Sequence, residues 1–165
     1  MEEVIGDIWK YHELGYWIVI PTNGFVKKES GECVMGRGLA LQAKLKFPKL
    51  PFELGALIDK YGNCGFVFPQ YRLFSFPVKH NWWESADIEL IKQSCEGLVV
   101  CSYYNWSKIP QPIYLPRVGC GNGKLRWKDV KPVIEEGLKH GKNVPDEYNI
   151  GKFVICSQET DTYKD

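Results

Sequence analysis

No apolar run in this sequence is long enough to cross a bilayer. Stretches such as Gly15-Tyr16-Trp17-Ile18-Val19-Ile20 fall far short of the roughly 20 residues a spanning helix needs, so a membrane is not expected as a partner. Charge of one sign is not in excess either. The formal net charge is +1 and the isoelectric point about 7.6, which removes any global pull toward duplex nucleic acid and leaves only local basic patches open. The six cysteines (Cys33, Cys64, Cys95, Cys101, Cys120, Cys156) form no C-x-x-C pair, and no histidine stands at metal-ligand spacing. No metal and no cofactor is therefore expected, and reduced thiols in a cytoplasmic protein are a better reading than a disulfide framework. The start, Met1-Glu2-Glu3-Val4, is acidic and lacks the apolar core of a signal peptide, which also favours the cytoplasm. No internal repeat, low-complexity tract or long linker is visible. The 165 residues are read as one domain, 1–165, with a charged tail at 157–165 expected to fray and a monomer expected in solution.

What is present alternates between two periodicities. Strands are predicted over 4–9, 17–21, 112–115 and 152–156, the second of them hydrophobic throughout and so central in a sheet. Helices are predicted over 35–47, 52–61, 86–102 and 128–138, the first ended by Pro48 and the second by Gly62. Segments 65–68 and 71–78 read as a hairpin, and 23–32 as a loop. Strands alternating with helices around one hairpin imply an α/β protein with a mixed sheet between helix layers.

The densest chemistry lies in Leu115-Pro116-Arg117-Val118-Gly119-Cys120-Gly121-Asn122-Gly123-Lys124-Leu125-Arg126-Trp127. A buried strand feeds three alternate glycines, and a helix comes after them. Glycines let main-chain N–H groups converge on an anion, with a helix start to reinforce the field; this is the physics of a diphosphate cradle. It is not a Walker A loop, because Val118 stands where its first glycine would be and Leu125 where its hydroxyl would be. The dinucleotide G-x-G-x-x-G pattern fails at Lys124. Cys120-x5-Arg126 has the spacing of cysteine-dependent phosphatases, but no general-acid aspartate loop accompanies it and Trp127 replaces the usual hydroxyl residue.

Three further blocks stand beside it. In Gly6-Asp7-Ile8 a carboxylate either accepts from a base's amino group or simply caps a turn. Asn23, with Cys33-Val34-Met35-Gly36-Arg37-Gly38-Leu39-Ala40 after it, is either a sugar-contacting loop at a strand's carboxyl end or an ordinary glycine-rich connection. In Phe76-Pro77-Val78-Lys79-His80-Asn81-Trp82-Trp83 a lysine leaves a strand among aromatics, where desolvation favours amine nucleophilicity; a solvated lysine beside packing tryptophans is the plainer alternative.

Taken in order, these four blocks resemble the macro domain, the ADP-ribose-binding fold, over about 4–156. They are most similar to its subgroup of DNA ADP-ribosyl glycohydrolase antitoxins (DarG) and terminal ADP-ribose protein glycohydrolases. The resemblance implies a three-layer α/β/α sandwich with a mixed central sheet. It implies that Asp7 and Ile8 take the adenine, and that Asn23 lies at the distal ribose. It also implies that Met35, Gly36, Arg37, Gly38 and Leu39 close one side. Pro116, Arg117, Gly119, Cys120, Gly121, Asn122, Gly123, Lys124 and Leu125 then hold the diphosphate. Phe76-Pro77-Val78-Lys79 with Trp82 matches the antitoxin motif that carries an essential lysine, which makes Lys79 the catalytic residue. The protein-directed enzymes pair that lysine with an aspartate in the diphosphate loop; here the position falls on Asn122 or Gly123, as in the lysine-only arrangement. The insertion 25–32 lengthens the first loop.

The implied activity is metal-independent, Lys79-dependent removal of ADP-ribose from a DNA base or a protein carboxylate. The implied partners are ADP-ribose or an ADP-ribosylated substrate, single-stranded DNA among them, and a toxin ADP-ribosyltransferase. A phosphatase for ADP-ribose 1″-phosphate and a non-catalytic ADP-ribose reader are the alternatives. Trp82, Trp83, Tyr103, Tyr104 and Trp106 are candidates for stacking single-stranded bases, with core or rim packing as the other account.

Overall fold

The computed structural model describes residues 1–139 and 153–163. One six-stranded sheet runs through them: β1 (Glu3–Ile5), β2 (Ile18–Asn23), β3 (Phe66–Phe68), β4 (Leu73–Lys79), β5 (Ile113–Leu115) and β6 (Phe153–Ser157), in the order β1-β6-β5-β2-β4-β3. Every neighbouring pair is parallel except β3 with β4. The five α-helices among the described residues are α1 (Ile8–Glu13), α2 (Gly38–Lys46), α3 (Leu50–Tyr61), α4 (Ile88–Tyr104) and α5 (Trp127–Lys139).

The central strand explains the layering. Along β2 successive side chains alternate faces, and both faces are apolar. Ile18 and Ile20 enter a core with Ala43 of α2 and Leu54 of α3, whereas Val19 enters a second core with Ile91 of α4 and Ile134 of α5. Helices therefore cover both faces, and the α/β/α sandwich expected from the sequence is the observed architecture. Among the described residues no helix is long and apolar enough to cross a membrane.

Some boundaries moved for local reasons. The strand predicted over 4–9 stops at Ile5, because Asp7 caps a helix: its carboxylate accepts from the Trp9 N–H at 3.0 Å, and α1 begins at once. The helix predicted over 35–47 starts only at Gly38, since Met35 is already buried in the core as part of the incoming loop. Asp87 likewise moves the start of α4 to Ile88 by accepting from the Glu89 N–H. The hairpin forms as expected. Lys152, the predicted start of the last strand, lies outside the described residues. The tail expected to fray carries a 3-10 turn at Glu159–Tyr163.

Candidate ligand site at the carboxyl ends of the strands

Parallel strands deliver their carboxyl ends to one edge of the sheet. Here that edge brings together Gly6-Asp7 after β1, Asn23 at the end of β2, Lys79 at the end of β4 and Pro116 after β5. All four blocks singled out in the sequence thus converge where open α/β sheets bind ligands.

The loop after β5 folds on itself. Cys120 N donates to Arg117 O (3.3 Å), Lys124 N to Gly121 O (3.1 Å) and Leu125 N to Gly119 O (3.0 Å). These bonds curl the chain and remove Cys120, Lys124 and Leu125 from the set of amides available to a ligand. The N–H groups of Gly121, Asn122 and Gly123 have no partner among the described residues, and three consecutive free amides make an anion nest. Tight packing holds the curl. Gly123 is buried, its carbonyl accepts from Ala86 N (2.9 Å), and it has no room for a side chain. Lys124 sits at φ 65°, a left-handed conformation that costs a non-glycine residue on the order of 1 kcal/mol.

The first turn of α2 faces this nest. Gly38 has φ 55°, and a Cβ there would stand 3.6 Å from Asn122 Nδ2. Arg37, just before it, caps the helix with no side-chain hydrogen bond and is exposed. Lys79 closes the third side: its Nζ donates to Asn122 O (2.9 Å) and, more weakly, to Trp82 O (3.4 Å). Burial, and then the charges of Lys124 and Arg37, hold the Lys79 ammonium below the ordinary lysine range.

No protein-family model matches the chain. A curated DNA ADP-ribosyl glycohydrolase from Thermus aquaticus is 29% identical over 136 residues, 76% of this chain and 36% of that protein, so the chain spans about a third of its relative. The macrodomain of Thermus aquaticus DarG superposes with a TM-score of 0.66 at 27% identity, covering 94% of this chain and 96% of that one. The macrodomain of Mycobacterium tuberculosis DarG gives 0.65 at 22% identity, covering 84% and 86%. This chain has the macro-domain fold. A third neighbour, Thermosipho africanus DarTG in complex with ADP-ribose, matches at 0.59 and 20% identity, over 86% of this chain and 37% of that one.

Within this fold, several residues expected to touch ligand are occupied by the structure itself. Arg117 turns to the sheet's edge, where Nε meets Glu3 Oε1 (2.7 Å) and Ser157 Oγ (3.2 Å) and Nη1 donates to Asp161 O (3.1 Å). Burial alone would raise the Glu3 carboxyl, but hydrogen bonds from Ser157 and Arg117, with Arg117's charge, hold it below its usual range. Asn23 spends its amide on Val34 O (2.9 Å) and on the Phe25 N–H (2.9 Å), so it shapes the first loop. Met35 is a core side chain. Ile8 is buried, and Asp7 is exposed with one oxygen bound to the Trp9 N–H.

The cysteine mechanism is not assembled. Arg126 pairs with Asp129 (2.9 Å), and Cys120 Sγ lies 3.4 Å from Val118 O. Burial pushes the thiols of Cys33 and Cys95 up to about 12 and that of Cys156 up to about 11, which makes them inert. The expected aromatic group divides. Trp82 reaches Lys79 through its main-chain carbonyl and meets Trp83 edge to face, but Tyr103 and Tyr104 end a 17-residue helix that begins near the site, roughly 25 Å away at 1.5 Å per residue. Two supports were not foreseen. Asn63 donates to Lys79 O (3.0 Å), and Ser94 donates to Pro77 O (2.6 Å), each pinning the strand that carries the lysine. A lone Asn and a lone Ser carry no signal for such a role in one sequence.

Proposed function

We propose that this macro domain binds ADP-ribose and acts as an ADP-ribosyl hydrolase, with Lys79 as the reacting group and a nucleic-acid base or a protein carboxylate as the acceptor it releases. The observation that carries this reading is the 2.9 Å contact between Lys79 Nζ and the Asn122 carbonyl, which puts an amine at the edge of a nest of free amides. A diphosphate on Gly121, Asn122 and Gly123, with the adenine toward Asp7, directs the far ribose to Lys79. The names of the relatives, a DNA ADP-ribosyl glycohydrolase and a DarTG complex with ADP-ribose, support the same ligand.

The chemistry comes from the lysine's surroundings. A lowered pKa enlarges the neutral fraction of the amine, and only the neutral amine is a nucleophile. Its lone pair attacks the anomeric carbon of the far ribose. The bond to the acceptor breaks, its electron pair leaves with the acceptor, which takes up a proton, and Nζ loses one to solvent. The resulting glycosylamine, in equilibrium with its ring-opened Schiff base, adds water and expels the amine, giving free ADP-ribose.

The test is a turnover panel with ADP-ribosylated single-stranded DNA, glutamate-linked ADP-ribosyl protein and ADP-ribose 1″-phosphate. Wild type is expected to turn over one of the first two and to leave a covalent adduct on Lys79 under borohydride reduction. Lys79→Ala is expected to bind ADP-ribose within a few-fold of wild type and to turn over neither. Full turnover by Lys79→Ala sinks the reading. Activity on the phosphate alone makes the protein a phosphatase, and binding without turnover makes it a reader.

A further inference from the structure

The strand that carries Lys79 does not end regularly. Thr22 pairs with Pro77 but Asn23 with Lys79, so Val78 is an extra residue on β4, a bulge of the kind that re-aims the side chain after it. On the outer side the pairing with β3 stops at Ser75, and Pro77 offers no N–H to extend it. Four successive carbonyls are taken instead by four different segments. Pro77 O accepts from Ser94 Oγ (2.6 Å), Val78 O from Asp87 N (2.8 Å), Lys79 O from Asn63 Nδ2 (3.0 Å) and His80 O from Gly24 N (3.1 Å). The donor at the Lys79 carbonyl is a side chain, and it is closely seated. A Cβ on Gly24 would stand 2.6 Å from Asn63 Cγ and 2.7 Å from its Nδ2, so glycine leaves the space that the amide occupies. Asn63 follows Gly62, which ends α3, and its amide ties the loop after α3 to the main chain of the reacting residue.

Resting on the function proposed above, we infer that Asn63 is the positioning residue of the reacting lysine, fixing through the Lys79 carbonyl the direction in which β4 sends that side chain to the amide nest. Lysine has a long, flexible stem, and its reach to Asn122 O (2.9 Å) is reproducible only when its Cα and carbonyl are held. Without the Asn63 amide the Lys79 carbonyl loses the donor the structure gives it. The peptide then turns toward water and carries Nζ away from the nest. The same movement changes the charge of the amine. Burial, and then Lys124 and Arg37, hold the ammonium below its usual range, and a side chain released to solvent loses all three effects. The neighbouring His80 is turned to Asp87 (3.0 Å), the other titratable pair at this strand end, and Asn63 is itself neutral.

Steady-state kinetics on the ADP-ribosylated substrates, together with a titration of Lys79, test the assignment. Asn63→Ala is expected to lower kcat about 10- to 100-fold, the cost of a reacting group displaced by about 1 Å, with KM and the ADP-ribose dissociation constant within about threefold of wild type. Gly24→Ala should give the same loss by pushing the amide off the carbonyl. The double variant should lose less than the two single losses multiplied, because both act on one contact. In NMR spectra of isotopically labelled lysine, the Lys79 ε-carbon is assigned by its absence in Lys79→Ala. It should titrate at higher pH in Asn63→Ala than in wild type, toward the ordinary lysine value of about 10.4. An asparagine that only supports the fold would lower the melting temperature and leave kcat and the titration midpoint unchanged. That result overturns the inference, as would losses that multiply in full in the double variant. The titration needs no turnover. An upward shift in a protein that hydrolyses no ADP-ribosylated substrate would leave the hold on Lys79 standing and defeat the proposed activity. Turnover by wild type, with no shift and no loss in Asn63→Ala, defeats the hold alone.

Discussion

Gly121 and Gly123 stand two residues apart in the same loop, yet the structure assigns them opposite sensitivities. A Cβ on Gly123 would lie 2.7 Å from the Gly119 carbonyl carbon and 2.8 Å from Ala86 Cβ, and closer still to the Gly119 oxygen. Two of these neighbours are backbone, so the loop itself has to shift. Overpacking of this kind costs about 1–3 kcal/mol. For a domain of this size each kcal/mol lowers the melting temperature by about 2–4 °C, which puts Gly123→Ala about 4–8 °C below wild type for a mid-range cost. A Cβ on Gly121 meets nothing within 4 Å, so Gly121→Ala should melt within about 1 °C of wild type, as exposed substitutions do. Binding should tell a different story. Moving the curl misaligns the amides of 121–123, and each hydrogen bond lost to a charged acceptor is worth about 1.5–3 kcal/mol. One such loss raises the ADP-ribose dissociation constant about 10- to 100-fold for Gly123→Ala. In Gly121→Ala the methyl adds bulk at one of the three free amides on which the diphosphate is proposed to lie, so affinity should fall at least about tenfold with stability intact, given about 1.4 kcal/mol per decade. Thermal melts and titration calorimetry on the two variants separate the effects. Wild-type affinity in both would remove the nest from the ligand site.

Asp7→Asn should keep the melting temperature, since asparagine caps a helix as well as aspartate does, while weakening ADP-ribose binding by about 1–3 kcal/mol through loss of a charged acceptor for the adenine amine; unchanged calorimetric affinity would contradict the orientation of the ligand. Arg117→Ala breaks a largely buried ion pair and should destabilise by about 2–4 kcal/mol in urea titrations, with ADP-ribose affinity less affected than in Gly123→Ala. The folded-state pKa of Glu3 is lowered, so its stabilising contribution is complete above the unfolded carboxylate value of about 4.3 and is lost as pH falls through the folded value. An acid titration of stability should therefore be shallower below about pH 4.5 in Glu3→Gln than in wild type; identical slopes would mean that the pair does not couple to folding.

The sheet was legible because burial on both faces leaves a plain mark, as in Trp17-Ile18-Val19-Ile20, and the loop after β5 because alternating glycines have few uses. Boundaries set by a single hydrogen bond were not. Asp7 turns a run of strand-like residues into a helix by capping one amide, and nothing in Val4-Ile5-Gly6-Asp7-Ile8-Trp9 distinguishes a capping carboxylate from a ligand-binding one. Arg117 shows the same limit. The resemblance implies that it holds the diphosphate, but its partner, Glu3, lies 114 residues away in sequence and reaches it only because β1 and β6 are neighbours. Pairings that depend on strand order cannot be read until the order is known. The aromatic group divides for a simpler reason: Tyr103 and Tyr104 follow a long helix, across which closeness in sequence is distance in space.

The distribution of charge gives the site its polarity. Several cations pair with carboxylates: Lys27 with Glu32, Lys92 with Glu89, Arg117 with Glu3, Arg126 with Asp129. Lys79, Lys124 and Arg37 have no carboxylate partner among the described residues, and each of the other two pushes Lys79 toward its neutral form. Such crowding raises the energy of the empty protein, and a chain with 20 acidic residues had ample means to relieve it. It is tolerable where an anion enters, and the free amides of 121–123 lie beside the same three side chains. A pyrophosphate meets that requirement with two negative charges and several acceptor oxygens, more than the three amides alone could use.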